Sequence, residues 1–131
     1  MSFDIFINAF ENGETRMFPR SVLEKAFGSF SDMSDPTWWK VSDSFAVIQL
    51  RDAPEMYAFG CNRPPGNDHP FWPALLNVLR EISGVLHWPG GGPVVTDQSV
   101  SASIPKDMIE ALGPAKVVNS IEEVFRFIRE S

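Results

Sequence analysis

Few side chains in this sequence could do chemistry, and the most suggestive pair is Cys61 and His69, on either side of a proline turn. Asp68 stands next to the histidine. A thiolate nucleophile needs a base such as histidine within hydrogen-bond reach. However, Cys61 ends an apolar segment, where a cysteine usually behaves as a small hydrophobic residue. The sequence therefore favours a buried Cys61, a polar role for His69 in the first helical turn, and no catalytic residue.

A metal site would require His69, His87 and Asp97 to converge. The two histidines lie far apart in the sequence, so His87 is better interpreted as a hydrogen-bonded residue of a strand. The glycine loop, residues 89–93, lacks the lysine and the serine or threonine that hold phosphate and magnesium in a P-loop. We predict no cofactor and no metal. The alternative left open is a small-molecule site or small enzyme built from residues 61–69 and residues 89–93.

Two adjacent tryptophans, Trp38 and Trp39, occupy a predicted strand and must point to opposite faces. One ring can be in the core while the other faces outward among aspartates, as in a protein-binding hot spot. Alternatively, helices cover both faces and both rings are buried. Arg63, which precedes two prolines, is a further possible contact. The candidate partner-binding residues are Trp38, Trp39, Asp32, Asp35, Asp43 and Arg63.

The composition limits the classes of partner. With 131 residues, 44 % of them hydrophobic, the chain predicts one globular domain over residues 1–131. The formal net charge of −6 argues against nucleic acid and anionic membranes, both of which attract basic surfaces. An acidic chain suits a protein partner with a basic surface. The oligomeric state is left open.

Cellular location is predicted from what the sequence lacks. Cys61 is the only cysteine, so an internal disulfide cannot form. The first ten residues carry no basic region typical of a signal peptide. No apolar run approaches the roughly 18 residues of a membrane helix. These features predict that the protein is located in the reducing cytoplasm.

Residues 67–89 organise the predicted fold as one helix followed directly by one buried strand. Asp68 is predicted to cap the helix, and Gly84 to supply the left-handed residue that ends it. Apolar residues recur at helical spacing between them: Phe71, Leu75, Val78, Leu79 and Ile82. The strand that follows is stopped by the glycine loop.

The first part of the chain predicts an inner strand over residues 3–10, then a turn at Asn12-Gly13. Pro19 is predicted to begin a helix that Gly28 ends, and residues 29–36 to form a loop. Three strands then follow, joined by links short enough to make an antiparallel meander. Their predicted ranges are 37–41, 45–51 and 55–61.

After the glycine loop, the chain predicts a short strand over residues 94–96 and a helix that runs from Pro105 to Gly113. Another short strand is predicted over residues 116–118, and a capping box at Ser120–Glu123 starts the last helix. The predicted fold class is α+β, a mainly antiparallel sheet in the order β-α-β-β-β-α-β with helices packed on it and a C-terminal helix.

Two segments, FDIFINAFENGETRMFPRSVLEKAF and FWPALLNVLREISGVLHWPGG, are similar in layout to small bacterial proteins of polymorphic-toxin immunity type. The shared features are a first strand, a polar turn, a proline-started helix, a meander, and a late helix leading into a strand. The resemblance implies a cytoplasmic, acidic, single-domain protein that blocks a toxin by binding it. It carries over no catalytic residue. The first hypothesis is therefore a non-enzymatic binding protein, and the second is the small-molecule site described above.

Overall fold

The computed structural model describes residues 4–48, 50–62 and 64–130. The helices within these ranges are α1 (Ser21–Phe27), α2 (Phe71–Ile82), α3 (Lys106–Leu112) and α4 (Ile121–Glu130). The strands are β1 (Asp4–Glu11), β2 (Glu14–Thr15), β3 (Phe18–Pro19), β4 (Asp32–Asp35), β5 (Trp38–Lys40), β6 (Ala46–Ile48), β7 (Glu55–Met56), β8 (Ala58–Asn62), β9 (Gly84–Trp88), β10 (Gly91–Val95) and β11 (Lys116–Val117). Short 3-10 helices cover residues 28–30 and 98–103. In these ranges no helix is long and apolar enough to cross a lipid bilayer.

The main sheet has the order β11-β10-β9-β1-β8-β6-β5-β4, and β2 pairs with β1. Only the β10–β11 pair is parallel among the pairs of this sheet in the described ranges. A separate two-stranded sheet joins β3 to β7. The predicted α+β class with a mostly antiparallel sheet is therefore confirmed. The element order is longer than the predicted one, because several two-residue strands are too short to produce a sequence signal.

β1 lies between β8 and β9, as expected for an inner strand. Its alternate residues Ile5 and Ile7 are fully buried under the helices. Asn12 and Gly13 both have positive φ, 51° and 81°, so they form the two-residue turn that pairs Glu11 with Glu14. This strand and its turn match the sequence-based prediction because both depend on nearby residues.

The central helix α2 is present, but two predictions about its ends are wrong. Asp68 does not cap it: Pro70 occupies the N-cap position, and the N–H of Phe71, the first helical residue, donates to Nδ1 of His69 at 3.0 Å. Ser83, with φ 52° and ψ 50°, is the left-handed residue that ends α2. Gly84 instead opens β9, where a Cβ would lie 3.1 Å from Leu79 of the helix.

Three further segments differ from expectation. Pro19 does not begin α1 but pairs with Glu55 across the small sheet. Residues 29–36 are not only a loop, because β4 forms there against β5. Of the glycine loop, only Pro89 and Gly90 form the turn, and Gly91 already belongs to β10. In each case pairing with a neighbouring strand overrides the local preference of the residues, for a helix start at Pro19 and for a loop or turn in the other two segments.

The sheet divides the core in two. α1 and α2 cover one face, here called the inner face, together with most of the large buried side chains. The outer face is covered only at one end, by residues 98–103 and α3, over a smaller cluster that contains Phe10, Val85 and Val95. The rest of the outer face, toward β5 and β4, carries no helix of the described ranges.

Candidate functional site

Trp38 and Trp39 point to opposite faces of β5. Trp39 pairs with Val47 on the inner face and is 0 % exposed. Trp38 lies on the outer face and is 47 % exposed. Of the two arrangements considered from the sequence, the structure therefore has the one with a single outward ring, and Trp39 is a core residue.

Exposed carboxylates surround Trp38. Asp35 is its direct cross-strand neighbour on β4, and Asp32 holds the same relation to Lys40. Asp43, in the loop after β5, lies 3.5 Å from the Lys40 ammonium. The three predicted aspartates therefore do gather on the same edge of the molecule as the exposed ring.

Two of these carboxylates each accept hydrogen bonds from the residue two positions later in the chain. Oδ1 of Asp35 accepts hydrogen bonds from the Thr37 N–H at 2.9 Å and from the Thr37 hydroxyl at 3.0 Å. Asp32 makes the same pair of bonds with Ser34, and these bonds lower the pKa of the Asp32 carboxyl. β4 is also an edge strand with a register shift between its two aspartates. Charges and a bulge at an edge protect against strand-to-strand aggregation, which is an alternative role for these residues.

A shallow depression of about 290 Å³ opens beside Trp38. Its floor includes Ala46, whose N–H donates to Oδ1 of Asn62 at 2.8 Å. The lining residues are Trp38, Lys40, Ser42, Asp43, Ser44, Phe45, Ala46 and Asn62. Sequence reasoning missed Ala46 and Asn62, because cross-strand pairing of β6 with β5 and of β8 with β6 brings them to the depression. It also missed Lys40, which shares β5 with Trp38.

Farther along the outer face, the Phe6 ring lies close to Gly60, where a Cβ would be 3.2 Å from the ring. The Phe6 ring also stacks on His87, with ring centroids 5.7 Å apart. Nε2 of His87 is 2.8 Å from Oδ1 of Asn8, so the histidine of β9 is hydrogen-bonded to a side chain of the neighbouring strand β1. Burial lowers the pKa of His87, which favours a neutral ring at neutral pH.

His87 should make folding stability depend on pH. Its ordinary pKa is 6.5 and its folded pKa is lower. Between these values the unfolded chain binds more protons, so we expect stability to fall as the pH drops below 6.5 and to be unaffected by His87 above it. The slope from one group is at most about 1.4 kcal/mol per pH unit. Urea unfolding measured across this pH range should show that the wild type loses more stability on acidification than His87→Gln does. The same dependence of stability on pH in the two proteins would contradict this role of His87.

The residues of the small-molecule hypothesis do not converge. Cys61 is fully buried between Ile5 and Val47, and burial raises the pKa of its thiol well above the ordinary value. His69 contacts Phe30 with ring centroids 5.3 Å apart, on the helix-covered side. His87 is on the other face of the sheet. A thiolate–histidine pair is therefore not formed by these residues.

The proline turn and the glycine loop border separate depressions, with different residues of α4 lining each. One, of about 190 Å³, is lined among others by Pro65, Trp72 and Phe125. The other, of about 200 Å³, is lined among others by Trp88 and Phe127. Neither lining includes Cys61, His69 or His87. Among the described residues, the proline turn and the glycine loop thus border two different depressions.

Arg63, the last candidate contact, lies outside the described residues. Within the described part of the chain, no group of three or more histidine, cysteine, aspartate or glutamate side chains could hold a metal ion. No protein-family model matches the chain, and neither the curated proteins nor the solved structures include a significant match.

Proposed function

We propose that this chain is a non-enzymatic binding protein whose surface around Trp38 contacts a protein partner. The observation that carries the proposal is the exposure of this ring: Trp38 is 47 % exposed, whereas Trp39, Trp72 and Trp88 are at most 3 % exposed. A tryptophan in water leaves a large apolar area unburied, and tryptophan is among the residues most enriched in interface hot spots.

The charges around the ring indicate the kind of partner. Asp32, Asp35 and Asp43 are exposed beside Trp38, and the whole chain carries a formal charge of −6. Complementary potentials speed association and select partners. The proposed partner therefore presents a basic surface, and association with it slows as salt screens the charges.

The resemblance to immunity proteins of polymorphic-toxin systems suggests what the partner is. A protein of this type acts in the bacterial cytoplasm by covering a toxin, without catalysis of its own. The proposal in its specific form is that the chain neutralises a basic bacterial toxin by binding it. The small-molecule alternative has less support, because its candidate residues Cys61, His69 and His87 lie apart.

The test is affinity capture at low salt from a lysate of the source organism, with wild-type, Trp38→Ala and Met17→Ala chains immobilised in parallel. Met17 is 43 % exposed and lies in the link between β2 and β3, outside β4 and β5, so it is a matched apolar control. We expect the wild type and Met17→Ala to retain the same protein and to release it as salt is raised. Removal of a hot-spot tryptophan should weaken binding at least about thirtyfold.

Two results would contradict the proposal. One is that the wild-type chain retains no protein at low salt. The other is that the retained protein binds Trp38→Ala as tightly as the wild type, because the contact would then lie elsewhere on the surface.

A further inference from the structure

The two adjacent tryptophans differ in what covers them. The guanidinium carbon of Arg20 lies 5.1 Å from the centroid of the Trp39 ring. Among the residues that the structure describes, no cation lies over the ring of Trp38. The chain thus places an arginine on its inner tryptophan and leaves the outer one open.

The surroundings of Trp38 favour a cation. Asp35 stands directly across from it on β4, and Asp43 lines the depression on its other side. Asp43 already pairs with the ammonium of Lys40 at 3.5 Å, although both side chains are well exposed. Asn62 and Ala46 also line the depression, whose volume of about 290 Å³ is large enough to hold a single side chain.

We infer that the depression beside Trp38 takes an arginine side chain of the basic partner, which rests on the function proposed above. A guanidinium is planar, so it can stack on the indole while its N–H groups donate to Asp35 or Asp43. A lysine ammonium is more strongly hydrated and cannot form a two-pronged contact with a carboxylate. The site therefore prefers arginine to lysine, in addition to preferring basic side chains to acidic ones.

The inference can be tested without the partner by titrating the isotopically labelled chain with Nα-acetylarginine amide and Nα-acetyllysine amide at equal ionic strength. The readout is the indole N–H resonance that disappears in Trp38→Phe. We expect a saturable shift of this resonance with arginine, at about three- to tenfold lower concentration than with lysine. The resonances of the three buried tryptophans should not move.

Charge variants supply the control. Asp35→Asn combined with Asp43→Asn should remove the preference for arginine, whereas Asp52→Asn, an exposed aspartate in the loop after β6, should keep it. Equal shifts with arginine and lysine, or a preference that survives the double variant, would overturn the inference. These results differ from failure of the proposed function, which is the absence of a captured protein. If a partner is captured, free arginine should displace it better than lysine.

Discussion

Replacing Trp39 by alanine is expected to lower the free energy of unfolding by about 3–5 kcal/mol, as is typical for a fully buried aromatic residue. Trp39 is 0 % exposed, packs opposite Val47 and lies under the Arg20 guanidinium. Alanine would leave a cavity that the sheet and helices cannot fill. The measurement is urea unfolding followed by circular dichroism, with Trp39→Phe as the milder variant.

The matched control is the preceding residue, Trp38. Trp38→Ala should change the same free energy by no more than about 1 kcal/mol, because only cross-strand contacts on an open face are lost. This difference in stability also supports the binding experiments. If Trp38→Ala folds normally, any loss of partner binding must come from the altered surface and not from unfolding. Equal destabilisation by the two substitutions would mean that Trp38 is part of the core.

Replacing Gly91 by alanine is expected to destabilise the protein by at least about 2 kcal/mol. A Cβ at this position would lie 2.0 Å from Nε1 and 2.4 Å from Cε2 of Trp88. Trp88 is almost fully buried and its ring lies against Gly91 of β10, so the ring must shift from its packed position to make room. Unfolding should therefore occur at lower urea, with tryptophan fluorescence of the folded variant shifted to the red.

Gly90 provides the comparison. A Cβ there would have nothing within 4 Å, although its φ of +84° makes alanine strained by about 1–2 kcal/mol. Gly91→Ala should lower the free energy of unfolding more than Gly90→Ala does. The double variant Gly91→Ala with Trp88→Leu should lose less stability than the sum of the two single variants, because the smaller side chain removes the clash. Additive losses of stability in the double variant would contradict a clash between the added Cβ at position 91 and the Trp88 ring.

Local features of the fold could be predicted from the sequence. The inner strand β1, the Asn12-Gly13 turn and the apolar face of α2 depend on a periodicity or on residues a few positions apart. The β5–β6 hairpin follows from a short link between strands. The third strand of the predicted meander is only partly correct: β8 pairs with β6, but β7 separates the two in the chain and pairs with β3. The ends of α2 were also mispredicted, because His69 accepts the hydrogen bond, and Ser83 adopts the left-handed conformation, that the sequence pattern assigned to Asp68 and Gly84.

For the candidate site, the order of residues already requires Trp38 and Trp39 to face opposite ways and puts aspartates near them. Which ring is exposed depends on long-range packing, because α1 and α2 pack on the inner face and α3 covers just one end of the outer face. The tertiary structure also placed Asp35 across from Trp38 by forming β4. The packing of the helices on the sheet joins residues far apart in the chain, and the Asp35–Trp38 pairing depends on a strand register that includes a bulge. Neither is encoded in a local pattern of residues.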